Sequence, residues 1–312
     1  MHPVDPAGVA AAAVLGLDAE RCINESRGDD ARVWVLDHDD QLVTLKVHQH
    51  QDLADVLQEA DLLHRLDQAG IPCPAPLRGP SGHRISTMDG TPVGAYRYLS
   101  GATATPSDDP SPVAGAVARL HNCTDRWQLP RPWKDQQLIV RAEALIADRW
   151  PDGQVRGRAA ASLWAASREA LARIQSTGLP RSVVHHDPHP GNVLHAPGAG
   201  VVLIDYGEAC SAPCIVDLAA LLVKWREDPR LITQTELTAI RDSYTSVRPL
   251  QPSESTLVAD AVLVAIASGA SDYLLRNRDN PTTEPAASES AVLLAELLIE
   301  QDWGDNLAHA LS

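Results

Sequence analysis

Phenylalanine is absent from this 312-residue chain, and lysine occurs only three times against 23 arginines. Without Phe, the hydrophobic core must be built from Leu, Val, Ala and the seven Trp. Hydrophobic residues make up 44% of the chain, which is ordinary for a globular protein of one large or two small domains. The lysine shortage reflects a general bias of composition, and it gives weight to each lysine that remains. Lys46 is the only lysine among the first 133 residues.

Long apolar runs and a cysteine framework are also missing. No uninterrupted apolar run reaches the roughly 18 residues that a membrane span needs. The N-terminus, Met-His-Pro-Val-Asp-Pro, lacks the basic region of a signal peptide. Five scattered cysteines are an odd number for disulfide pairing, and reduced thiols fit a cytoplasm. We therefore expect a cytoplasmic protein with no membrane partner.

The most informative stretch lies past the middle of the chain. Two short apolar strands are predicted there, Val183–Val184 and Val201–Ile204, and they lead to Asp187 and Asp205. Asn192 lies between the two acids, five residues after the first. Mg²⁺ prefers such oxygen donors and usually takes few protein ligands plus substrate phosphates. An acid that is not a ligand can accept the proton of an attacking hydroxyl. These parts match a phosphoryl-transfer site.

Two motifs in this stretch carry a family resemblance, His185-x-Asp187-x-x-x-x-Asn192 and Ile204-Asp205-Tyr206-Gly207. They resemble the catalytic and metal loops of the aminoglycoside phosphotransferase and choline kinase family. The usual first loop of that family reads His-Gly-Asp-Leu-His-Pro-Gly-Asn, so His186 and Pro188 depart from it. A lone capping acid would explain an isolated His-x-Asp but not both motifs together. A metal-dependent hydrolase that uses His186, His189 and His195 would leave Asn192 unexplained.

The resemblance implies an α+β, two-lobed protein-kinase-like fold. Residues 1–98 would form a small N-lobe with an antiparallel sheet and one helix, and residues 99–312 a larger, mostly helical C-lobe. ATP (or GTP) and Mg²⁺ would be the cofactors, and a small-molecule hydroxyl the acceptor. Asp187 would accept the hydroxyl proton, while Asn192 and Asp205 would hold Mg²⁺. His185 would organise the loop by hydrogen bonding.

Lys46 lies in a β-rich run, Leu42–Val47, that is predicted to form a hairpin with Arg32–Leu36. The following segment, Asp52–Ala69, carries apolar residues at helical spacing. At 100° per residue, Glu59 falls on the apolar side of that helix. An unpaired buried charge is costly, so Glu59 needs a partner, and Lys46 is the natural one. The resemblance assigns the same pair: the strand lysine holds the nucleotide phosphates and the helix glutamate braces it.

Two more predicted strands, Arg84–Thr87 and Val93–Leu99, complete the small sheet. In the family, the chain that follows is a hinge whose backbone reads the adenine edge, which makes Tyr98 and Leu99 candidate cofactor contacts. Upstream, Glu25–Asp30 would be the loop over the nucleotide phosphates, although it has one Gly and no GxGxxG pattern.

The rest of the chain is predicted to be a polar linker over residues 102–110 and then mostly helices. A short Ala-rich helix is also expected near the N-terminus. The helical patterns cover residues 7–16, 113–122, 135–149, 156–176, 217–226, 233–246, 254–276 and 288–311. Asp217 opens one of these helices, where it can cap free N–H groups. In the family the matching Asp steadies the catalytic loop.

The formal net charge of −15 makes nucleic acid a poor partner. Residues 227–312 hold 14 acids and five arginines, so an acidic surface there can attract a cation, although net charge can also serve solubility alone. We predict that Glu227 and Asp228 line an acceptor site for an amine-bearing alcohol, such as an aminoglycoside-like antibiotic in a resistance reaction. A kinase for peptide Ser or Thr and a non-catalytic nucleotide-binding scaffold are the alternatives. Either a monomer or a homodimer is compatible with the sequence.

Overall fold

The computed structural model describes residues 4–17, 22–27, 31–149, 155–226 and 232–276. The chain divides into two compact units. The first unit comprises residues 1–103 and 192–208, and the second comprises residues 104–191 and 209–312. The chain therefore leaves the first unit after Thr103, returns to it at Asn192 and leaves again after Glu208.

A five-stranded antiparallel sheet forms most of the first unit. Its strands are β1 (Cys22–Arg27), β2 (Ala31–His38), β3 (Gln41–His48), β4 (Ile85–Met88) and β5 (Thr91–Arg97), in the order β1-β2-β3-β5-β4. Both predicted hairpins are present. Asp39 and Asp40 turn β2 into β3 with φ of 51° and 59°, the left-handed conformation that two-residue hairpin loops require. The loop predicted over Glu25–Asp30 is wrong in its first half, because Glu25–Arg27 pair with β2, and residues 28–30 lie outside the described part.

Two helices pack against this sheet, α1 (Pro6–Val14) and α2 (Leu53–Gln68). Ala11 and Ala12 of α1 share a core with Trp34, Leu36 and Leu45 of the sheet. Successive side chains of a strand point to opposite faces, so Lys46 lies on the face opposite Leu45 and turns away from this core. The Asp52 side chain caps α2 by accepting the N–H of Asp55.

A second, smaller sheet of the first unit consists of β6 (Ala102–Thr103), β8 (Val193–Ala196) and β9 (Gly200–Leu203), in the order β6-β8-β9. The linker predicted over residues 102–110 therefore begins with a strand. Strands β8 and β9 form a hairpin in which Val193 pairs with Leu203. Beyond that pair the backbone N–H of Ile204 donates to the Asn192 carbonyl at 2.9 Å. The open end of the hairpin thus holds Asn192 beside the residue that precedes Asp205.

The second unit is mostly helical. Its helices are α3 (Ser111–Cys123), α4 (Asp135–Arg149), α5 (Val155–Ser176), α6 (Ile215–Lys224), α7 (Gln234–Thr245), α8 (Pro252–Thr256) and α9 (Val258–Arg276). One antiparallel pair, β7 (Arg181–Val184) and β10 (Cys210–Pro213), accompanies them. The helix predicted over residues 288–311 lies outside the described residues.

Helix α9 packs against α4, α5 and α6. It is long and apolar enough to cross a membrane by composition, with a mean hydropathy of 1.5, although Asp260 and Asp272 interrupt its apolar run. More than half of that stretch, 56%, is buried inside the protein, and Arg173 of α5 forms a two-bond ion pair with Asp260. These contacts are typical of a core helix.

Candidate active site

Lys46 lies between two carboxylates in the first unit. Its Nζ is 3.9 Å from Glu59 Oε1 and 3.1 Å from Asp205 Oδ1. The Lys46–Glu59 pair predicted from the helical spacing is therefore present, and Glu59 is only 4% exposed, as its position on the apolar side of α2 predicted. The Asp205 side chain is 51% exposed, so this carboxylate can reach a ligand in solvent. The arrangement gives a fixed cation flanked by a buried acid and an accessible one.

Gly207 allows the backbone to pass close to this cluster. A Cβ at position 207 would lie 2.9 Å from Gln51 Nε2 and 3.4 Å from Asp205 Oδ1. A side chain there would therefore displace the groups that surround the lysine. Asp205 itself has a φ of 59°, which is unusual outside glycine. The Asp-Tyr-Gly sequence thus makes a tight turn that presents one acid.

Asn192 and Asp205 are the residues predicted to hold the metal. The β8–β9 hairpin holds their backbones together through the Ile204–Asn192 hydrogen bond. One amide oxygen and one carboxylate are hard oxygen donors, and Mg²⁺ commonly binds to such a small set together with substrate phosphates. Among the described residues, no cluster of three or more His, Cys, Asp or Glu could hold a metal by itself. The donor set therefore fits a magnesium ion that arrives with a nucleotide.

Of the remaining residues predicted to contact ligands, the structure describes some and not others. Tyr98 and Leu99 follow β5 directly and are partly exposed. Their role in nucleotide binding stays a prediction. Glu227 and Asp228 lie outside the described residues.

In the second unit, Asp187 follows β7 in the loop that carries the first motif. Its Oδ1 accepts a hydrogen bond from Lys224 Nζ at 2.7 Å, and its Oδ2 lies 3.5 Å from His189 Nε2. Burial raises the pKa of Asp187, but the charge and hydrogen bond of Lys224, with smaller effects of His189 and His185, bring that pKa below its ordinary value. Asp187 is therefore ionised at neutral pH, as an acceptor of a hydroxyl proton must be.

Asp217 holds the backbone of this loop. Its carboxylate accepts the N–H of His185 at 2.8 Å and of His186 at 2.6 Å, and a hydrogen bond from His121 at 3.0 Å. The helix cap predicted for Asp217 is wrong, because α6 begins after Cys214 and the carboxylate reaches the loop instead. Burial raises the pKa of Asp217, but His121 and the other donors bring it below its ordinary value. The loop-steadying role implied by the resemblance matches these contacts.

His186 occupies the position where the family usually has Gly, and its φ of 70° explains that preference. A left-handed residue other than glycine costs about 1–2 kcal/mol. His186 Nε2 lies 3.0 Å from Asp135 Oδ1, which also accepts from Ser268 at 2.7 Å. Burial lowers the pKa of His186, but the Asp135 carboxylate raises it above its ordinary value overall. The ion pair therefore offsets the backbone strain and ties the loop to α4 and α9.

Sequence reasoning missed Lys224 and Asp135. Lys224 is one of three lysines in the chain, and that scarcity was the signal that could have singled it out. Asp135 carried no comparable signal, since it reads as an ordinary acid in the first turn of a helix. Both residues act on the Asp187 loop from more than 35 positions away, a pairing that periodicity does not reveal.

A lysine held between two carboxylates, a loop with an ionised carboxylate, an antiparallel sheet and a set of helices are the parts expected of a kinase-like phosphotransferase. The model of the phosphotransferase enzyme family (APH) matches residues 24–250, so the chain belongs to that family. It is a kinase that transfers a phosphoryl group to a hydroxyl of a small molecule.

Solved structures share the fold at low sequence identity. An amicoumacin kinase bound to AMP-PNP and Ca²⁺ superposes with a TM-score of 0.74 and 16% identity, over 95% of this chain and 93% of that one. A microcompartment-associated aminopropanol kinase gives 0.69 and 16%, over 98% and 100%. The predicted protein-kinase-like fold is confirmed.

Relatives with closer sequences are named homoserine kinases. The one from Gluconobacter oxydans is 28% identical over 225 residues, which is 70% of this chain and 68% of the relative.

Proposed function

We propose that this enzyme uses MgATP to phosphorylate the hydroxyl of a small amine-bearing alcohol, with a homoserine-type amino acid as the first candidate. The observation that carries the proposal is the position of Lys46, held at 3.1–3.9 Å between an accessible and a buried carboxylate. Lys46 would hold the nucleotide phosphates, and Glu59 would keep it oriented. Tyr98 and Leu99 would contact the adenine through their backbone groups.

Asp205 and Asn192 would hold Mg²⁺ on the nucleotide. When bound, the ion neutralises phosphate charge and so eases attack on the γ-phosphorus. Asp205 also contacts Lys46, so a residue that would hold the ion lies beside the lysine that would hold the phosphates. GTP in place of ATP is compatible with the same groups.

Asp187 would accept the proton of the acceptor hydroxyl. The acceptor oxygen forms a bond to the γ-phosphorus, the bond from that phosphorus to the bridging oxygen breaks, and ADP leaves with its electron pair. The ionised state of Asp187, maintained by Lys224, supports this role. His185 and Asp217 would keep the loop backbone fixed during the step.

The acceptor class follows from chemistry that the relatives share. Homoserine and aminopropanol each carry one hydroxyl and one amine, and the relatives named for them resemble this chain. A second candidate is an aminoglycoside-like antibiotic, which the likeness to the amicoumacin kinase and the acidic last third of the sequence favour. In that case the reaction would confer antibiotic resistance.

The test is ADP release from MgATP with a panel of acceptors. The panel contains L-homoserine, 1-amino-2-propanol, choline, an aminoglycoside, a neutral sugar and a Ser/Thr peptide. We expect an amine-bearing alcohol to give the highest kcat/KM. The Asp187→Asn variant should lose about 10²–10⁴-fold in kcat while its nucleotide affinity stays within a few-fold. Preference for the sugar or the peptide would overturn the acceptor class, and an active Asp187→Asn enzyme would overturn the assignment of the base.

A further inference from the structure

One face of α6 carries two opposite charges that both reach the Asp187 loop. Asp217 and Lys224 are seven residues apart, close to two helical turns, so their side chains project on the same side of the helix. The Asp217 carboxylate accepts two loop N–H groups. Lys224 Nζ donates to Asp187 Oδ1 at 2.7 Å and lies 3.4 Å from the His186 carbonyl oxygen. On this helix, Asp217 therefore accepts hydrogen bonds from the loop, and Lys224 donates hydrogen bonds to it.

We propose that Lys224 is a positioning residue for Asp187, which fixes the orientation of the carboxylate that accepts the acceptor proton. The inference rests on the proposed function, since it takes Asp187 as the base. Lys224 itself need not touch the acceptor or the nucleotide. It acts through one oxygen of Asp187 and through the carbonyl that precedes that residue.

The chemistry of lysine suits this double contact. An ammonium is a compact charge with three donors on a flexible stem, so it can serve a carboxylate and a carbonyl together, whereas the planar arginine fork favours one bidentate partner. A cation in the last turn of a helix is also favoured by the helix dipole. The chain has 23 arginines and only three lysines, yet the residue at this position is a lysine, which can donate to both loop acceptors.

Charge around Asp187 explains why a partner is required. The Asp187 side chain is 27% exposed, so burial disfavours its charge, and Lys224, 31% exposed, is its strongest countercharge. His189 faces the other oxygen at 3.5 Å, and the His185 ring lies on the same loop. Weaker basicity costs little in phosphoryl transfer, because the transition state is loose and catalysis depends mainly on positioning. Misplacement costs more, since about 1 Å can lower a rate 10²-fold.

The experiment compares Lys224→Met, Lys224→Arg and a matched control, Lys134→Met, with the wild-type enzyme. Each is assayed for kcat against pH with MgATP and L-homoserine, and for slow MgATP hydrolysis with water as acceptor. Loss of Lys224 should lower kcat about 10–100-fold at pH 7. The acid limb of the profile, where kcat falls at low pH, should shift to a pH that is higher by about one unit or more. The reason is that an opposite charge at this distance lowers a carboxylate pKa by about 1–3 units. KM for ATP should stay within about twofold, because the base does not hold the nucleotide.

Lys224→Arg should restore the acid limb and part of kcat, and Lys134→Met should match the wild type. A merely structural lysine would change the melting temperature and leave the acid limb in place, and that result overturns the inference. If Asp187→Asn is inactive while Lys224→Met keeps the wild-type profile, the inference alone fails. If Asp187→Asn is active, or if the wild type turns over neither acceptor nor water, the proposed function fails and the inference fails with it.

Discussion

Two residues of the candidate site have left-handed backbones although neither is glycine. His186 has a φ of 70° and Asp205 a φ of 59°, and they belong to the first and second motif respectively. Such conformations persist where neighbouring contacts over-determine them, and they are common at functional sites. For His186 those contacts are Asp135 and Asp217, and for Asp205 the close neighbours are Lys46 and Gly207. Each motif therefore stores strain at the residue beside, or at, its predicted functional acid.

Replacement of Asp205 tests the metal assignment at the scale of one residue. Asp205→Ala should weaken AMP-PNP binding in the presence of Mg²⁺ by about 10-fold or more, which corresponds to about 1.4 kcal/mol. Binding without Mg²⁺ should change by no more than about twofold if the carboxylate acts through the metal. Isothermal calorimetry with Mg²⁺ and with EDTA measures both. Asp242→Ala, at an exposed acid of α7, is the control, and equal losses with and without Mg²⁺ would show that Asp205 acts through Lys46 instead.

At the scale of elements, strand β3 links Lys46 to its surroundings. His48, two residues after Lys46, lies with Nδ1 2.7 Å from Gln51 Oε1, to which it donates, and with Nε2 3.3 Å from the Tyr96 hydroxyl of β5. The residue is only 1% exposed. Burial, together with the charge of Lys46, lowers the pKa of His48 to about 4. One neutral imidazole thus joins β3, β5 and the turn before α2.

This junction predicts an acid-sensitive contribution to stability. In the unfolded chain His48 binds a proton near its ordinary pKa of 6.5, while in the folded protein it does so only near 4. The stability that it provides is therefore lost as pH falls below about 6.5, by about 2 kcal/mol between pH 7 and pH 5. Urea unfolding at both pH values measures this. His48→Gln should lack the loss, and His83→Gln, at an exposed position, should keep it. The prediction would be contradicted if the free energies of unfolding of the wild type and His48→Gln differed by the same amount at both pH values.

The elements that could be predicted from sequence were those with a clear internal pattern. The spacing of α2 placed Glu59 on its buried side, and the acidic and glycine turns marked both hairpins of the large sheet. Strand β10, Cys-Ser-Ala-Pro, was missed because its residues have little intrinsic strand preference and it exists through its pairing with β7. Strand β6 is two residues long and depends in the same way on β8. Long-range pairing, which local pattern does not encode, accounts for these differences.

The residues of the candidate site differ in the same way, since some carried a local sequence signal and others did not. Lys46 and Glu59 are 13 positions apart, and each carried a local signal: a charge within a strand and an acid on an apolar helix face. Lys224 and Asp187 are also an ion pair, but nothing near Lys224 in sequence points to the loop. Asp217 was found through the family pattern, while its contact with His121 depends on how α3 and α6 pack.

At the scale of the whole molecule, the net charge of −15 predicts how acceptor binding responds to salt. Attraction between exposed charges is screened over roughly 8–10 Å at physiological ionic strength. KM for an acceptor with net positive charge should therefore rise with NaCl while kcat changes little, and KM for zwitterionic homoserine should change less. Steady-state kinetics over a salt series measures both. Glu227→Gln combined with Asp228→Asn should weaken the salt effect, and a cationic acceptor with a constant KM would refute the electrostatic account.

Because the chain returns to its first unit, the parts of that unit are synthesised at two separate times. The first unit needs residues 192–208, which hold β8, β9 and Asp205, but the ribosome makes residues 104–191 in between. The large sheet and α2 can therefore emerge from the ribosome with Lys46 and Glu59 before Asp205, the second partner of Lys46, exists. At roughly 5–20 residues per second, the wait from Thr103 to Glu208 is on the order of 5–20 s. Until β8 has been made, β6 lacks its neighbour in the smaller sheet.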